Sequence, residues 1–306
     1  INMVKNIIID TDPGIDDATA IILALMHPKI NVCLITTVGA NVTVDQATTN
    51  ALKLVEFMQA NLPVARGSEK PLLKDLKTIP SIHGKTGMDG YDFPNPKQKP
   101  LDIHAVEAMR QTILKHSKDI SIVSIGAMTN LALLLAMYPD IKNHISEIIM
   151  MGGAIHGGNT SSLAEFNIAS DPHAADLVFK SDIPLTMIGL DVTEKALLYR
   201  ETALKIKDSG RIGEMLYHLF ENYGGPSLDM GMTIHDASTI AYLTQPDLFT
   251  IQEKYLRVIT DGLATGAIIT NSAYEPVSKT LETKKVCMDV DSKRFEEWIL
   301  SQFINS

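Results

Sequence analysis

Asn6-Ile7-Ile8-Ile9-Asp10-Thr11-Asp12-Pro13-Gly14-Ile15-Asp16-Asp17 decides the reading of this chain. Three consecutive isoleucines read as a buried strand, because β-branched residues fit a pleated, enclosed surface. Pro13-Gly14 marks a turn. Asp16-Asp17 then opens an apolar-periodic segment, residues 18–26, whose acidic first turn suits the positive end of a helix dipole. Four carboxylates are therefore expected at the C-terminal end of a strand, where open α/β sheets place ligands. Charges this close repel strongly at low dielectric, and a fold tolerates that when a cation sits among them.

The same alternation continues outward. Strands are expected over residues 4–10, 31–38, 120–125, 147–151 and 184–190, with helices over 17–27, 44–60, 103–116, 131–137 and 172–180. Thr43 and Gln46 have capping-box spacing, and Asp171-Pro172 reads as an N-cap followed by proline at the first helical position. Beyond residue 190, helices are expected near 201–208, 211–223 and 237–243 and from 293, and strands near 255–259 and 286–289. Strand–helix alternation implies an α/β fold: one domain over residues 1–306, with a mainly parallel open sheet and helices on both faces. Ile1-Asn2 ahead of Met3 reads as a remnant outside that fold.

Composition narrows the function. A hydrophobic content of 45% suits a large core, and 6% aromatics means that aliphatic side chains must fill it. A net charge of −9 argues against duplex nucleic acid, which needs Lys and Arg patches. No signal peptide or membrane-length apolar run is read. Cys33 and Cys287 lie in apolar strand-like runs, and two buried thiols point to a reducing compartment rather than a disulfide framework.

Two segments are rich in helix and strand breakers. Residues 62–100 hold six prolines and four glycines and carry His83; residues 223–236 hold Gly224-Gly225-Pro226 and carry His235. Long loops of this kind in a compact domain are often lids or binding loops; the plain alternative is two surface loops with incidental histidines.

The acidic stretch admits several readings. Asp16 or Asp17 could cap the helix and Asp12 close the turn, which leaves Asp10 without a role. An EF-hand loop needs Gly at its sixth position and Glu at its twelfth, and this stretch has neither. Asp10-Thr11-Asp12 partly matches an Asp-x-Asp magnesium phosphatase, but Gly14 stands where Thr or Val is expected. The first strand is not followed by Gly-x-Gly-x-x-Gly, so a dinucleotide site is set aside. Carboxylates without a His or Cys cluster suit a hard cation, and dense acidic sites with backbone carbonyls favour calcium. Thr233-Ile234-His235-Asp236 offers a further carboxylate beside an imidazole able to titrate near neutrality. A second polar set, Asn159, Glu165 and Asn167, with Asn41 after the second strand, mixes donors and acceptors as a polyhydroxylated ligand requires.

Taken in order, Asp10–Asp17, Thr37-Val38-Gly39-Ala40-Asn41, Ile125-Gly126-Ala127-Met128-Thr129-Asn130, Met150-Met151-Gly152-Gly153, Glu165-Phe166-Asn167, Gly189-Leu190-Asp191-Val192-Thr193 and His235-Asp236 closely resemble the nucleoside hydrolase family, the inosine–uridine type of N-ribohydrolase. The pattern looks most like its bacterial broad-specificity members. The resemblance implies a Rossmann-like nucleoside hydrolase fold and hydrolysis of purine and pyrimidine ribonucleosides to ribose and free base. It implies calcium held by Asp12, Asp17 and Asp236 and by the Ile125 carbonyl. It implies ribose held by Asp16, Asn41, Asn159, Glu165, Asn167 and the Met151 backbone, with Phe166 against sugar or base and Asp10 orienting the metal loop. Asp12 would be the general base. His235 would be the first candidate to protonate the leaving base and His83 the second. Pyrimidine-preferring relatives carry two tyrosines upstream of His-Asp; here Tyr223 fills one position and Ser227 the other. A cytoplasmic homodimer or homotetramer acting in nucleoside salvage follows by resemblance. The competing classes are a magnesium phosphatase with a nucleophilic Asp10 and a nucleoside-binding protein without turnover.

Overall fold

A computed structural model describes residues 4–270 and 282–304. Its strands are β1 Lys5–Thr11, β2 Ile30–Thr37, β3 Val64–Arg66, β4 Ser121–Ser124, β5 Glu147–Met151, β6 Leu185–Ile188, β7 Leu197–Leu198, β8 Met232–Thr233, β9 Phe249–Lys254, β10 Leu256–Val258, β11 Ile268–Thr270 and β12 Lys284–Val290. Its α-helices are α1 Ile15–Met26, α2 Val44–Phe57, α3 Pro80–His83, α4 Ala105–Lys115, α5 Thr129–Met137, α6 Phe166–Ser170, α7 Pro172–Phe179, α8 Leu190–Thr193, α9 Arg200–Asp208, α10 Arg211–Glu221, α11 Ala237–Thr244 and α12 Ser292–Ile304. The remnant read at Ile1-Asn2 lies outside the described residues.

Eight strands form one sheet in the order β3-β2-β1-β4-β5-β6-β12-β9, parallel except where β9 pairs antiparallel with β12. Alternation along β1 divides the core. Ile7 and Ile9 pack on one face with residues of α1, α2, α10, α11 and α12, whereas Ile8 packs on the other with α4, α5 and α7. The expected α/β fold with helices on both faces is what forms. From β1 the sheet grows one way through β2 and β3 and the other way through β4, β5 and β6. That reversal opens a crevice at the C-terminal ends of β1 and β4, where Asp10 to Asp12 and Ile125 emerge.

Several boundaries differ from expectation for local reasons. The strand expected over 184–190 stops at Ile188, because Leu190 turns into α8 with its N–H on the Gly153 carbonyl at 2.9 Å. Thr43 caps α2 by accepting from the Gln46 N–H at 3.4 Å, but the Gln46 side chain donates to Asn50 instead of closing a capping box. Asp171 accepts from the Ala174 N–H at 3.1 Å and Pro172 opens α7, as expected. The strand expected near 255–259 is β10, which lies outside the main sheet in a ribbon with β11; Leu256 and Val258 bury against α7 while Arg257 turns to Asp176. β9 was not expected because Phe249 is its one buried residue, so no period-two pattern marks it. Cys287 is buried, and burial pushes its thiol up to about 12. Cys33 is only half-buried, a correction to the expected pair of buried thiols. Among the described residues, no helix is long and apolar enough to cross a membrane.

Candidate active site

The floor of the crevice is acidic. Asp17, in the first turn of α1, accepts from Thr11 Oγ1 at 2.6 Å, from the Asp12 and Gly14 N–H groups at 3.3 and 3.1 Å, and from Asn41 Nδ2 at 3.1 Å. Asp12 Oδ2 accepts from the Asn41 N–H at 2.6 Å, while Asp12 Oδ1 is buried without a hydrogen-bond partner among the described residues. Asp16 Oδ1 is likewise buried and makes no hydrogen bond among the described residues. One oxygen from each of Asp16, Asp17 and Asp236 falls within a 4.8 Å cluster. Gly126 permits the closeness, since a Cβ there would lie 2.7 Å from Asp12 Oδ1. Burial pushes all four carboxyls up. The Asp17 charge adds to the rise at Asp12, and the Asp16 charge adds to it at Asp17 and Asp236.

The cavity above this floor encloses about 570 Å³, and among the described residues neither lysine nor arginine lines it. Buried carboxylates with idle oxygens and no protein cation fit a hard divalent metal ion. One consequence is measurable. A carboxyl whose folded pKa lies above its unfolded value contributes stability that is fully present below the unfolded pKa and lost as pH rises through the folded one. For Asp10, raised to about 6, and Glu165, raised to about 7, that window runs from about 4 to about 7, and the four cluster carboxyls shift the same way. Metal-free protein should therefore melt progressively lower between about pH 4 and about pH 7, and the gain in Tm on adding a divalent metal ion should widen. A gain that stays constant or shrinks over that range would remove the cluster from metal binding.

A polar wall rises opposite. Glu165 precedes α6 and accepts from three backbone amides: Asn167 at 2.8 Å on Oε1, and Gly153 at 2.7 Å and Ile168 at 3.1 Å on Oε2. Burial raises its carboxyl to about 7 against those bonds. Asn167 Nδ2 donates to the Ile125 and Met151 carbonyls at 3.2 and 3.0 Å, bringing both predicted backbone groups to the wall. Asn159 Oδ1 accepts from the Phe166 N–H at 2.9 Å. The Phe166 ring packs on Val38, Ala40 and Ala127 and borders the cavity. Asp10 does not line the cavity: its Oδ1 accepts from Thr36 and Asn130 at 2.7 and 2.8 Å.

Both histidines reach the cavity from the breaker-rich loops. His83, on the short α3, accepts the Ile15 N–H on Nδ1 at 3.1 Å. A backbone amide can only donate, so the neutral ring carries its proton on Nε2, which lies 3.8 Å from Asp16 Oδ1. Burial pushes this imidazole down to about 4. Its ring occupies the space a Cβ on Gly14 would take. His235 Nδ1 lies 2.8 Å from Thr193 Oγ1, and burial lowers its pKa against the pull of Asp16. Tyr223 stacks obliquely on His83 with 5.9 Å between ring centroids, and the Gly224 N–H donates to the Ile82 carbonyl at 2.7 Å, so the two loops meet over the site.

Apart from Asp10, the predicted site residues thus converge, with Asp16, Asn41, Ile125, Met151, Asn159, Glu165, Phe166, Asn167, Tyr223, His83, His235 and Asp236 on the cavity wall and Asp12 and Asp17 just below it. Sequence reasoning missed the apolar rim of Ile79, Ile82, Leu190, Leu197 and Met230, and with it Glu194. These residues come from loops and short elements without periodicity.

The sequence profile described as inosine-uridine preferring nucleoside hydrolase matches residues 7–297. The chain is 41% identical over 293 residues to the non-specific ribonucleoside hydrolase RihC of Escherichia coli O9:H4, covering 96% of each, and 40% identical to RihC of Shigella sonnei over the same shares. Among solved structures, it is similar to a purine-preferring ribonucleoside hydrolase from Gardnerella vaginalis, with a TM-score of 0.91, 32% identity and 98% of each chain covered. A plant nucleoside hydrolase superposes with a TM-score of 0.92 at 30% identity over 99% of each chain.

Proposed function

This chain belongs to the inosine-uridine preferring nucleoside hydrolase family and is a nucleoside N-ribohydrolase, and we propose that it hydrolyses both purine and pyrimidine ribonucleosides with calcium as its metal. The observation that carries the reading is the floor of Asp12, Asp16, Asp17 and Asp236 facing a wall of Asn41, Glu165 and Asn167, with neither lysine nor arginine among the described residues lining the cavity between them. Oxygen-only donors and a carbonyl at Ile125 favour calcium. A phosphate ester would meet carboxylates, with no Lys or Arg among the described residues of the wall, which disfavours the phosphatase alternative.

Asp12, Asp17, Asp236 and the Ile125 carbonyl would hold the ion. When bound, it supplies Lewis acidity toward the attacking water and an anchor for the ribose diol. Asp16, Asn41, Asn167 and the Met151 carbonyl accept and donate to the ribose hydroxyls, and Asn159 and Glu165 complete that wall. Asp12 takes a proton from the water through Oδ1, the oxygen no protein group occupies. The water oxygen bonds to C1′ as the N-glycosidic bond breaks, and its electron pair leaves with the base. The carboxylates stabilise the positive charge that develops on the ribose. His235 gives the departing base a hydrogen bond or proton, with His83 next in reach; Tyr223 and Phe166 border the base. Asp10 holds the loop from below through Asn130 and Thr36. Half-buried Cys33 and buried Cys287, both free thiols, favour a cytoplasmic setting, with nucleoside salvage in a homodimer or homotetramer as the role.

Incubation with ribo- and deoxyribonucleosides, with and without a calcium chelator, tests this. Chelator-sensitive release of base from inosine and uridine is expected, with the deoxy forms at least about a hundredfold slower for want of the diol contact. Tight nucleoside binding without release, in calcium-loaded protein, would identify a binding protein instead.

A further inference from the structure

We propose that Thr193 is a positioning residue that locks the His235 ring with its Nε2–H directed into the cavity, toward the departing base. The inference rests on the hydrolase reading and deepens it, by assigning what orients the leaving-group histidine.

Thr193 ends α8 and is fully buried. Its Oγ1 lies 2.8 Å from His235 Nδ1, the one side-chain hydrogen bond it makes among the described residues. A buried hydroxyl has one hydrogen to place. The usual helical acceptor, the carbonyl four residues back, belongs to Gly189 and already receives the Val192 and Thr193 N–H groups at 3.1 and 3.0 Å. Thr193 therefore donates to Nδ1, and the neutral ring keeps its proton on Nε2. His235 borders the cavity, and no protein hydrogen bond engages Nε2 among the described residues. The opposite tautomer would leave the threonine hydrogen without an acceptor.

The platform under Thr193 is stiff. Asp191 in α8 accepts the Ile155 and His156 N–H groups at 2.7 and 3.1 Å, which clamps the helix to the loop after β5. The β7–β8 pairing fixes the segment that leads into His235. His83 shows the same device with another donor, since a backbone amide fills its Nδ1. Two rings from separate loops thus present the same nitrogen toward the site. The threonine version alone can be altered by a side-chain substitution at the donor.

The test compares T193V, which keeps the shape and removes the hydroxyl, with T193S, which keeps the hydroxyl, in calcium-loaded enzyme. Uridine and inosine need help for the leaving base, whereas p-nitrophenyl β-D-ribofuranoside releases a stable anion without a proton. In T193V, kcat on the nucleosides should fall about tenfold or more with KM nearly unchanged. Activity on the aryl riboside should stay within about twofold, and T193S should recover most of the nucleoside rate. Equal losses on both substrate types, or undiminished nucleoside cleavage, would overturn the assignment. Nitrogen-15 spectra of His235 in the wild type give a readout independent of turnover. An unprotonated Nδ1 with a protonated Nε2 at neutral pH is expected, and the reverse tautomer would overturn the proposal. Should the wild type cleave no ribonucleoside at all, the hydrolase reading fails by itself, and the spectra still decide the role of Thr193.

Discussion

Asp12→Asn should cut nucleoside cleavage at least about a hundredfold and yet make the metal-free protein harder to unfold. Asp12 Oδ1 is buried beside Gly126 and makes no hydrogen bond among the described residues, its carboxyl feels the charges of Asp17 and Asp16, and Oδ2 is held by the Asn41 N–H. Asparagine can keep its oxygen on Asn41 and turn its NH₂ toward the cluster, replacing repulsion by donation. The proposed general base goes with the charge, so kcat/KM should fall by roughly 10²- to 10⁴-fold, and further where metal binding weakens as well. Because Asp12 is pushed well above the usual carboxylate range by burial and by Asp17, removing its charge should raise the stability of the metal-free protein at pH 8. Paired measurements of turnover and urea unfolding in chelator check both halves. Activity within tenfold of wild type would sink the base assignment, and lower stability in chelator would mean that the carboxylates are not under mutual strain. Such opposed effects are expected where function rather than folding selects the residues.

Glu165→Ala should damage the fold itself. Three backbone N–H groups, those of Gly153, Asn167 and Ile168, converge on one buried carboxylate. Alanine leaves all three without an acceptor, at a cost of about 2–4 kcal/mol. The start of α6 would loosen, and Asn167 would lose its hold on the Ile125 and Met151 carbonyls. Activity should drop at least about a hundredfold from misplaced ribose contacts. Glutamine should recover only part of the stability. Its oxygen can serve Gly153 and Ile168 together, but its NH₂ then faces the Asn167 N–H, donor against donor. Chemical denaturation beside kcat/KM distinguishes these outcomes, and a loss below about 0.5 kcal/mol for alanine would show that water satisfies those amides.

The strand–turn–helix from Asn6 to Met26 was legible because its signals are local: β-branched residues, Pro13-Gly14 and an apolar period that starts with acid. Asp171-Pro172 and the strands at 120–125 and 147–151 were legible for the same reason. β9 was not, since an edge strand whose side chains mostly face water carries no alternation to read. α3 was not, because four residues among prolines and glycines give no period. The roles of Asn159, Glu165 and Asn167 as a polar wall were suggested by composition, but Glu165 as an acceptor of three amides could come only from coordinates.

By itself, the sequence determined a parallel α/β sheet with a dense acidic loop at a strand end, and its ordered motifs determined the family. Those are properties of neighbouring residues and of periods, which a linear chain displays directly. The tertiary structure alone decided that Asp16, Asp17 and Asp236 share one space, that the His83 ring seats against Gly14 and Ile15, and that Thr193 holds His235. These depend on partners far apart in the chain, and on which oxygen or ring nitrogen a buried donor leaves free. Hydrogen bonds are satisfied in space, so only the packed molecule reveals which carboxylate oxygens stay idle for chemistry.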